Sequence, residues 1–125
     1  MIAALLAFSL GSPAAAAQPA LLLYSDDSAH RFLGCLSCGA LERDSIWNQL
    51  GPHGSSLASD SIWNSLGVYG SALSSYSPCN SLSSSGPKVV DAAGGYYGRL
   101  TMNKMARDRI SGSSFEQLLV SVCGR

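Results

Sequence analysis

Charged residues are scarce in this sequence, and their signs cancel. Lys and Arg together number 8, as do Asp and Glu, so the formal net charge is +0. This balance leaves no positive surface for nucleic acid or for an anionic membrane. Long apolar runs are also lacking after the N-terminus, where the nearest candidate is residues 118–120, far below the about 20 residues of a membrane-spanning helix. We therefore expect no nucleic-acid partner and no transmembrane segment in the mature chain.

The start of the chain has the pattern of a secretory signal peptide, although no Lys or Arg precedes its apolar stretch. Residues 1–10 are apolar, Gly and Pro follow, and a run of alanines offers a cleavage site at Ala15-x-Ala17. The alternative is a buried N-terminal helix, which the Gly and Pro would interrupt. We predict a signal peptide at 1–17 and one mature domain at 18–125, exported to the periplasm or the extracellular space.

A sixteen-residue tandem repeat occupies the middle of the chain, residues 44–87. The units that begin at Asp44 and Asp60 follow each other without a gap and are identical at eleven of sixteen positions. A third, degenerate copy keeps the register and places Cys79 where the first two have tryptophan. Repetition at a fixed period indicates units that bury a face against their neighbours.

Each repeat is predicted to form a short helical turn followed by a loop. Asp and Ser are expected to cap the turn, Ile, Trp and Leu to lie on one side of it, and Gly to end it. A thin β-solenoid and a serine-rich segment of low complexity are the alternatives. We favour packing, with Trp47 and Trp63 in the core.

Two hairpins and a helix are predicted around the repeats. Two mainly apolar runs on either side of a turn-rich connection predict one hairpin at 20–38, and the Gly-Gly turn at 94–95 predicts another at 88–102. Apolar residues at helical spacing predict an amphipathic helix at 113–123, with a capping box from Ser113 to Glu116. The predicted fold is therefore a small, irregular α+β domain.

The four cysteines are candidates for disulfide bonds, since the chain is predicted to be exported. Cys35 and Cys38 form a C-x-x-C motif, which would also suit a redox pair or half of a zinc site. A second such motif is absent, so we expect structural cysteines and no metal. Four cysteines allow three connectivities, and the sequence does not choose among them. Cys79 shares the tryptophan position and Cys123 lies at the end of the predicted helix, so a Cys79–Cys123 bridge is geometrically conceivable, with Cys35 paired to Cys38 or reduced.

The motifs taken together resemble a family of small exported bacterial proteins that is uncharacterised. The resemblance rests on residues 32–38, on the two Ser-Ile-Trp-Asn repeats with their Gly-x-x-Gly-Ser spacers, and on residues 90–98. It extends from about Leu21 to Asn103 and implies export and one module of hairpin, repeats and hairpin. It implies no activity or ligand.

Residues suited to catalysis are few. His30 lies in a predicted turn, and His53 stands where the sister repeat has Tyr69, which indicates a packing or surface aromatic residue instead of a base. Asp44 and Asp60 are better explained as caps than as calcium ligands, because the full calcium-loop pattern is missing. We expect no catalytic residue and no cofactor.

The sequence therefore favours a non-catalytic structural or binding module with an unknown ligand. Its partner is expected to be an envelope or extracellular protein or a carbohydrate. The alternative is a secreted enzyme, or an enzyme-associated domain, that uses Cys35, Cys38 or His53. The binding residues we select are amides and tyrosines expected at the surface: Asn48, Asn64, Tyr69, Tyr76 and Tyr96.

Overall fold

The protein is an α+β fold with one antiparallel sheet of four strands and one C-terminal helix. The computed structural model describes residues 19–124, so the predicted signal peptide, residues 1–17, lies outside the described range. Both predicted hairpins and the predicted helix are present. The elements are β1 (Leu21–Tyr24), β2 (Phe32–Cys35), β3 (Lys88–Asp91), β4 (Tyr96–Arg99) and α1 (Ser113–Cys123).

The two hairpins join into a single sheet with the order β2-β1-β3-β4. The junction is the antiparallel pair of β1 and β3, in which Leu23 lies opposite Val89. Both side chains are fully buried. Since side chains alternate between the two faces of a strand, this register directs the central apolar residues of both hairpins into one core.

Residues 36–87, all of them described, contain no assigned helix or strand and form a succession of tight turns. In the first repeat, the N–H of Asn48 donates to the C=O of Ser45 at 3.2 Å, and the N–H of Gly51 donates to the C=O of Asn48 at 2.9 Å. The second repeat has the same bonds sixteen residues later, at 3.2 and 3.0 Å. The chain thus turns about every three residues, without a continuous helix.

Serine, and not aspartate, caps these turns. The Oγ atoms of Ser45 and Ser61 accept the N–H groups of the tryptophans two residues later, at 3.0 and 3.1 Å. Asp and Ser were both predicted as caps, so the prediction is confirmed for Ser45 and Ser61 and wrong for Asp44 and Asp60. Their carboxylates instead lie 3.4 and 3.5 Å from the guanidinium groups of Arg43 and Arg31. A buried serine hydroxyl reaches the backbone from inside the turn, whereas the acidic group remains on the outside.

The predicted capping box of α1 was also wrong. Gly112 holds the N-cap position, and no side chain caps the helix there. The carboxylate of Glu116 forms an ion pair with Arg109, which precedes the helix, at 2.8 Å. A guanidinium group within reach binds a carboxylate more strongly than a backbone N–H does, so Glu116 ties the helix to the preceding connector.

The core lies between the sheet, the repeats and α1. Each of the first two repeats contributes an isoleucine, Ile46 and Ile62, that is almost fully buried. The same buried cluster contains residues from β1, β2, β3, α1 and the segment after β4: Leu23, Leu33, Val89, Leu118, Leu119, Val122 and Leu100. The helix therefore docks on the core through the apolar face that the sequence predicts.

A second internal duplication, which the sequence analysis missed, relates residues 31–46 to residues 95–110. The offset is 64 residues, and each segment contains an outer strand and the turns that follow it. Five of the sixteen positions are identical: Gly34 and Gly98, Leu36 and Leu100, Arg43 and Arg107, Asp44 and Asp108, and Ile46 and Ile110.

The two duplicated segments share their backbone geometry. The N–H of Cys35 donates to the C=O of Asp44 at 2.7 Å, and the N–H of Arg99 donates to the C=O of Asp108 at 2.7 Å. The glycines that precede these donors have φ values of +128° and +124°. Each outer strand is thereby bonded to its own following turns, so the edges of the sheet are partly covered.

Candidate functional site

A concave surface lies between the first two repeats and the end of α1, and we call it the tryptophan groove. Its volume is about 570 Å³, within the range of ordinary ligand sites. No lining side chain is charged. The lining residues are Ile46, Trp47, Gln49, Gly54, Ser55, Ser56, Leu57, Trp63 and Ser121.

Both tryptophans are held in place through their indole N–H groups. Trp47 Nε1 donates to the C=O of Leu36 at 3.0 Å, and Trp63 Nε1 donates to the C=O of Ile46 at 2.7 Å. The ring centroids are 5.9 Å apart, with 59° between the planes. Because each polar N–H is satisfied within the chain, the rings present mainly apolar surface to the groove.

The prediction that both tryptophans belong to the core was wrong for Trp47, which is 41% exposed. Trp63 is partly buried and packs against the core. The isoleucine that precedes each tryptophan takes the inward position, and the next residue of a tight turn then lies toward the surface.

Leucines are the most exposed large hydrophobic side chains of the described residues. Six leucines are 89–98% exposed, and they fall into two series spaced by sixteen residues: Leu41, Leu57 and Leu73, and Leu50, Leu66 and Leu82. Burial of each would contribute about 1.5–3 kcal/mol. Exposed leucines that recur with the period of the repeat are candidate contacts for a partner.

A local hydrogen bond orients most of these leucines outward. Five of the six follow Ser or Asn by two positions, and the leucine N–H donates to that side-chain oxygen at 3.0–3.1 Å. This turn directs the backbone N–H inward, so the side chain points outward. Leu50 and Leu66, predicted to lie beside the isoleucine, are therefore exposed.

A smaller groove repeats the tryptophan groove one unit further along the chain. It has a volume of about 270 Å³ and is lined by Ser65, Gly70, Ser71, Ala72, Leu73, Cys79 and Cys123. Six of these positions follow a lining position of the tryptophan groove by sixteen residues. The second groove is thus the same structural feature with Trp63 replaced by a cystine.

The predicted binding amides are used inside the chain. Asn48 donates to the C=O of Glu42 at 3.0 Å and accepts the N–H of Leu50 at 3.1 Å. Asn64 makes the same pair of bonds in its own repeat, to Ala58 and Leu66. These amides hold the turns, and neither lines the tryptophan groove.

The predicted binding tyrosines do not form one surface. Tyr69 is buried, which corrects the expectation that it is exposed, and its hydroxyl donates to Asp27 at 2.5 Å. Tyr76 packs against the core. Tyr96 is half exposed and donates to Asp108 at 2.6 Å. Partial burial, together with that carboxylate, raises the pKa of Tyr96 to about 12.

All four cysteines are in disulfide bonds. Cys35 pairs with Cys38, and Cys79 pairs with Cys123. The C-x-x-C motif follows a strand and leads into turns, so no helix N-terminus is present there to stabilise a thiolate.

His53 is a buried packing residue. The residue is 6% exposed, and its ring meets that of Phe32 edge to face, with centroids 4.9 Å apart. Among the described residues, no hydrogen-bond partner reaches its buried Nδ1. The equivalent Tyr69 satisfies its polar atom through Asp27, so the two sister positions differ in how their polar groups are satisfied.

Substitution by phenylalanine at positions 53 and 69 is expected to change the free energy of unfolding in opposite directions. His53→Phe removes an unpaired buried nitrogen and should raise the free energy of unfolding by about 1 kcal/mol. Tyr69→Phe removes a hydrogen bond to a carboxylate and should lower it by about 1–3 kcal/mol. Urea denaturation measures both, and a loss of stability in His53→Phe would contradict the first expectation.

Comparison with known proteins gives no relative. No protein-family model, curated protein or solved structure matches the chain. The resemblance to small exported bacterial proteins therefore stays a prediction. No helix within residues 19–124 is long and apolar enough to cross a membrane.

Proposed function

We propose that the protein is an exported, non-catalytic binding module that buries an apolar side chain of a partner protein in the tryptophan groove. The observation that carries this proposal is the juxtaposition of Trp47, Trp63 and the almost fully exposed Leu57 around one uncharged groove. Rigid aromatic rings beside exposed aliphatic groups are the composition of an interface centre.

The free energy gained by burying the exposed leucines favours a protein partner over a carbohydrate. Two ring faces suit a sugar, but the leucines gain most from an apolar partner, by about 1.5–3 kcal/mol each. The polar groups in the groove are hydroxyls and one amide, so a neutral ligand avoids the cost of burying an unpaired charge.

The enzyme alternative has less support. The cysteines it would use are in disulfides, and His53 is packed beneath the surface. A nucleophile and a base must lie within hydrogen-bond reach of each other, and His53 Nδ1 has no such neighbour among the described residues.

Site-specific crosslinking tests the groove. A photoreactive residue in place of Leu57 in the full chain should give a discrete adduct with a partner protein from the producing cell, and the Trp47→Ala change should remove it. Leu82 is the matched control, because it is 91% exposed and lines neither groove. Identical adducts at positions 57 and 82 would argue against a specific groove.

Export is expected to remove residues 1–17. The two disulfides support an oxidising destination. Intact mass of the protein recovered outside the cytoplasm should correspond to a chain that starts at Gln18. A retained Met1 in that fraction would contradict the cleavage.

A further inference from the structure

The groove occurs in two successive repeats, and this recurrence indicates which form of ligand would fit both copies. Groove-lining positions recur with the sixteen-residue period, so two similar concave sites occur in successive repeats, and each is bordered by the end of α1. Ser121 borders the first site and Cys123 borders the second. Leu57 and Leu73 occupy the equivalent positions in the two grooves.

One pair of equivalent side chains in adjacent repeats, both lining the tryptophan groove, has a spacing close to that of alternate side chains in an extended polypeptide. The centroids of Trp47 and Trp63, which are equivalent side chains in adjacent repeats, are 5.9 Å apart. Alternate side chains of a β-strand lie on one face with a spacing of about 6.4–6.8 Å, which becomes shorter when the strand twists. Adjacent side chains point to opposite faces and cannot enter both grooves.

We propose that the two grooves bind one extended, uncharged peptide segment of the partner, with side chains i and i+2 in successive grooves. This inference rests on the proposed function and names the form of the ligand. The tryptophan groove takes the larger apolar side chain, and the second groove, with about half the volume, takes a smaller one. Specificity then depends on the spacing of apolar residues and on the absence of charge at those two positions.

Two peptides of the same composition test the spacing. One is a blocked five-residue peptide of alternating serine and leucine, and the other is an isomer with adjacent leucines. The chain has 2 tryptophans, so two indole N–H signals in a nitrogen-15 NMR spectrum of the mature protein report on the groove. The alternating peptide is expected to bind with about tenfold lower Kd, equivalent to burial of one further leucine.

Variants separate the second groove from the first. Leu73→Ser should raise the Kd of the alternating peptide about tenfold, to that of the isomer, and leave the isomer unchanged. The matched control, Leu82→Ser, should change neither value. Trp47→Ala should weaken both peptides. Leu73 is 92% exposed, so its removal is not expected to affect folding.

Each remaining outcome is decisive. Equal Kd values for the two peptides, both raised by Trp47→Ala, would overturn the two-groove inference and leave the proposed function standing. Indole shifts with neither peptide would overturn both proposals. Indole shifts only with a neutral linear oligosaccharide, such as cellohexaose, would replace the peptide with a glycan and overturn the inference.

Discussion

Replacement of Gly34 by alanine is expected to lower the free energy of unfolding by about 2–6 kcal/mol. Gly34 has a φ of +128°, a region that L side chains rarely adopt, at a cost of about 1–3 kcal/mol. An added Cβ would also lie 2.6 Å from Cγ2 of Ile46 and 2.9 Å from Cβ of His53. Both neighbours are buried, so relief of the overlap requires movement of the core, which adds about 1–3 kcal/mol.

Two other glycines provide the comparison. Gly98 is the counterpart of Gly34, with a φ of +124°, and its added Cβ would lie 2.7 Å from the C=O of Asp108, so Gly98→Ala should be similarly destabilised. Gly39→Ala should change stability by no more than about 0.5 kcal/mol, since the nearest atom is the Glu42 carboxylate at 3.7 Å. Urea denaturation with intact disulfides measures all three. Equal stabilities of the Gly34 and Gly39 variants would show that the backbone at Gly34 does not approach Ile46 and His53 closely enough to exclude a Cβ.

Local patterns predicted the hairpins and the helix, because the residues that determine them are adjacent in sequence. The Gly-Gly turn precedes Tyr96, and Gly94 does adopt a positive φ of +95°. The apolar spacing of Leu118, Leu119 and Val122 corresponds to the buried face of α1. These signals need no knowledge of the rest of the fold.

The joining of the two hairpins could not be predicted in the same way. Leu23 pairs with Val89 across the whole repeat segment, and no local pattern specifies that register. The duplication of residues 31–46 was obscured for a related reason. Only five positions are identical, and what the two segments share most clearly is backbone geometry, including the positive φ of Gly34 and Gly98.

The period of the repeat did not predict which side chains form the candidate site. The sixteen-residue spacing identified which positions are equivalent, but it contained no information on which of them face inward. Ile46 and Trp47 are both apolar and adjacent, yet one is buried and the other lines a groove. The direction of Leu50 follows from the hydrogen bond of its N–H to Asn48, which depends on the fold of the turn.

Removal of the Cys79–Cys123 disulfide is expected to have an effect comparable to that of Gly34→Ala, about 4 kcal/mol. The bond joins residues separated by 44 positions, and a closed loop of that length restricts the unfolded chain by this amount. Cys35 and Cys38 are separated by 3 positions, for which the same relation gives about 2 kcal/mol. The Cys79→Ala, Cys123→Ala double variant should therefore be less stable than the Cys35→Ala, Cys38→Ala variant.

The long loop also links the third repeat to the end of the helix. Without the bond, α1 keeps its buried Leu118, Leu119 and Val122 but loses its covalent tie to the second groove. Amide exchange in the last turns of α1 should accelerate in the Cys79, Cys123 variant more than exchange in β1, because helix ends open locally before the sheet does. Cys35 is buried, so replacing it also removes packing contacts and makes the Cys35, Cys38 variant less stable than loop closure alone predicts. The two double variants then differ less in total stability. Local exchange rates therefore distinguish them more clearly. Equal acceleration in α1 and β1 would show that the disulfide stabilises the fold only globally and does not anchor the helix.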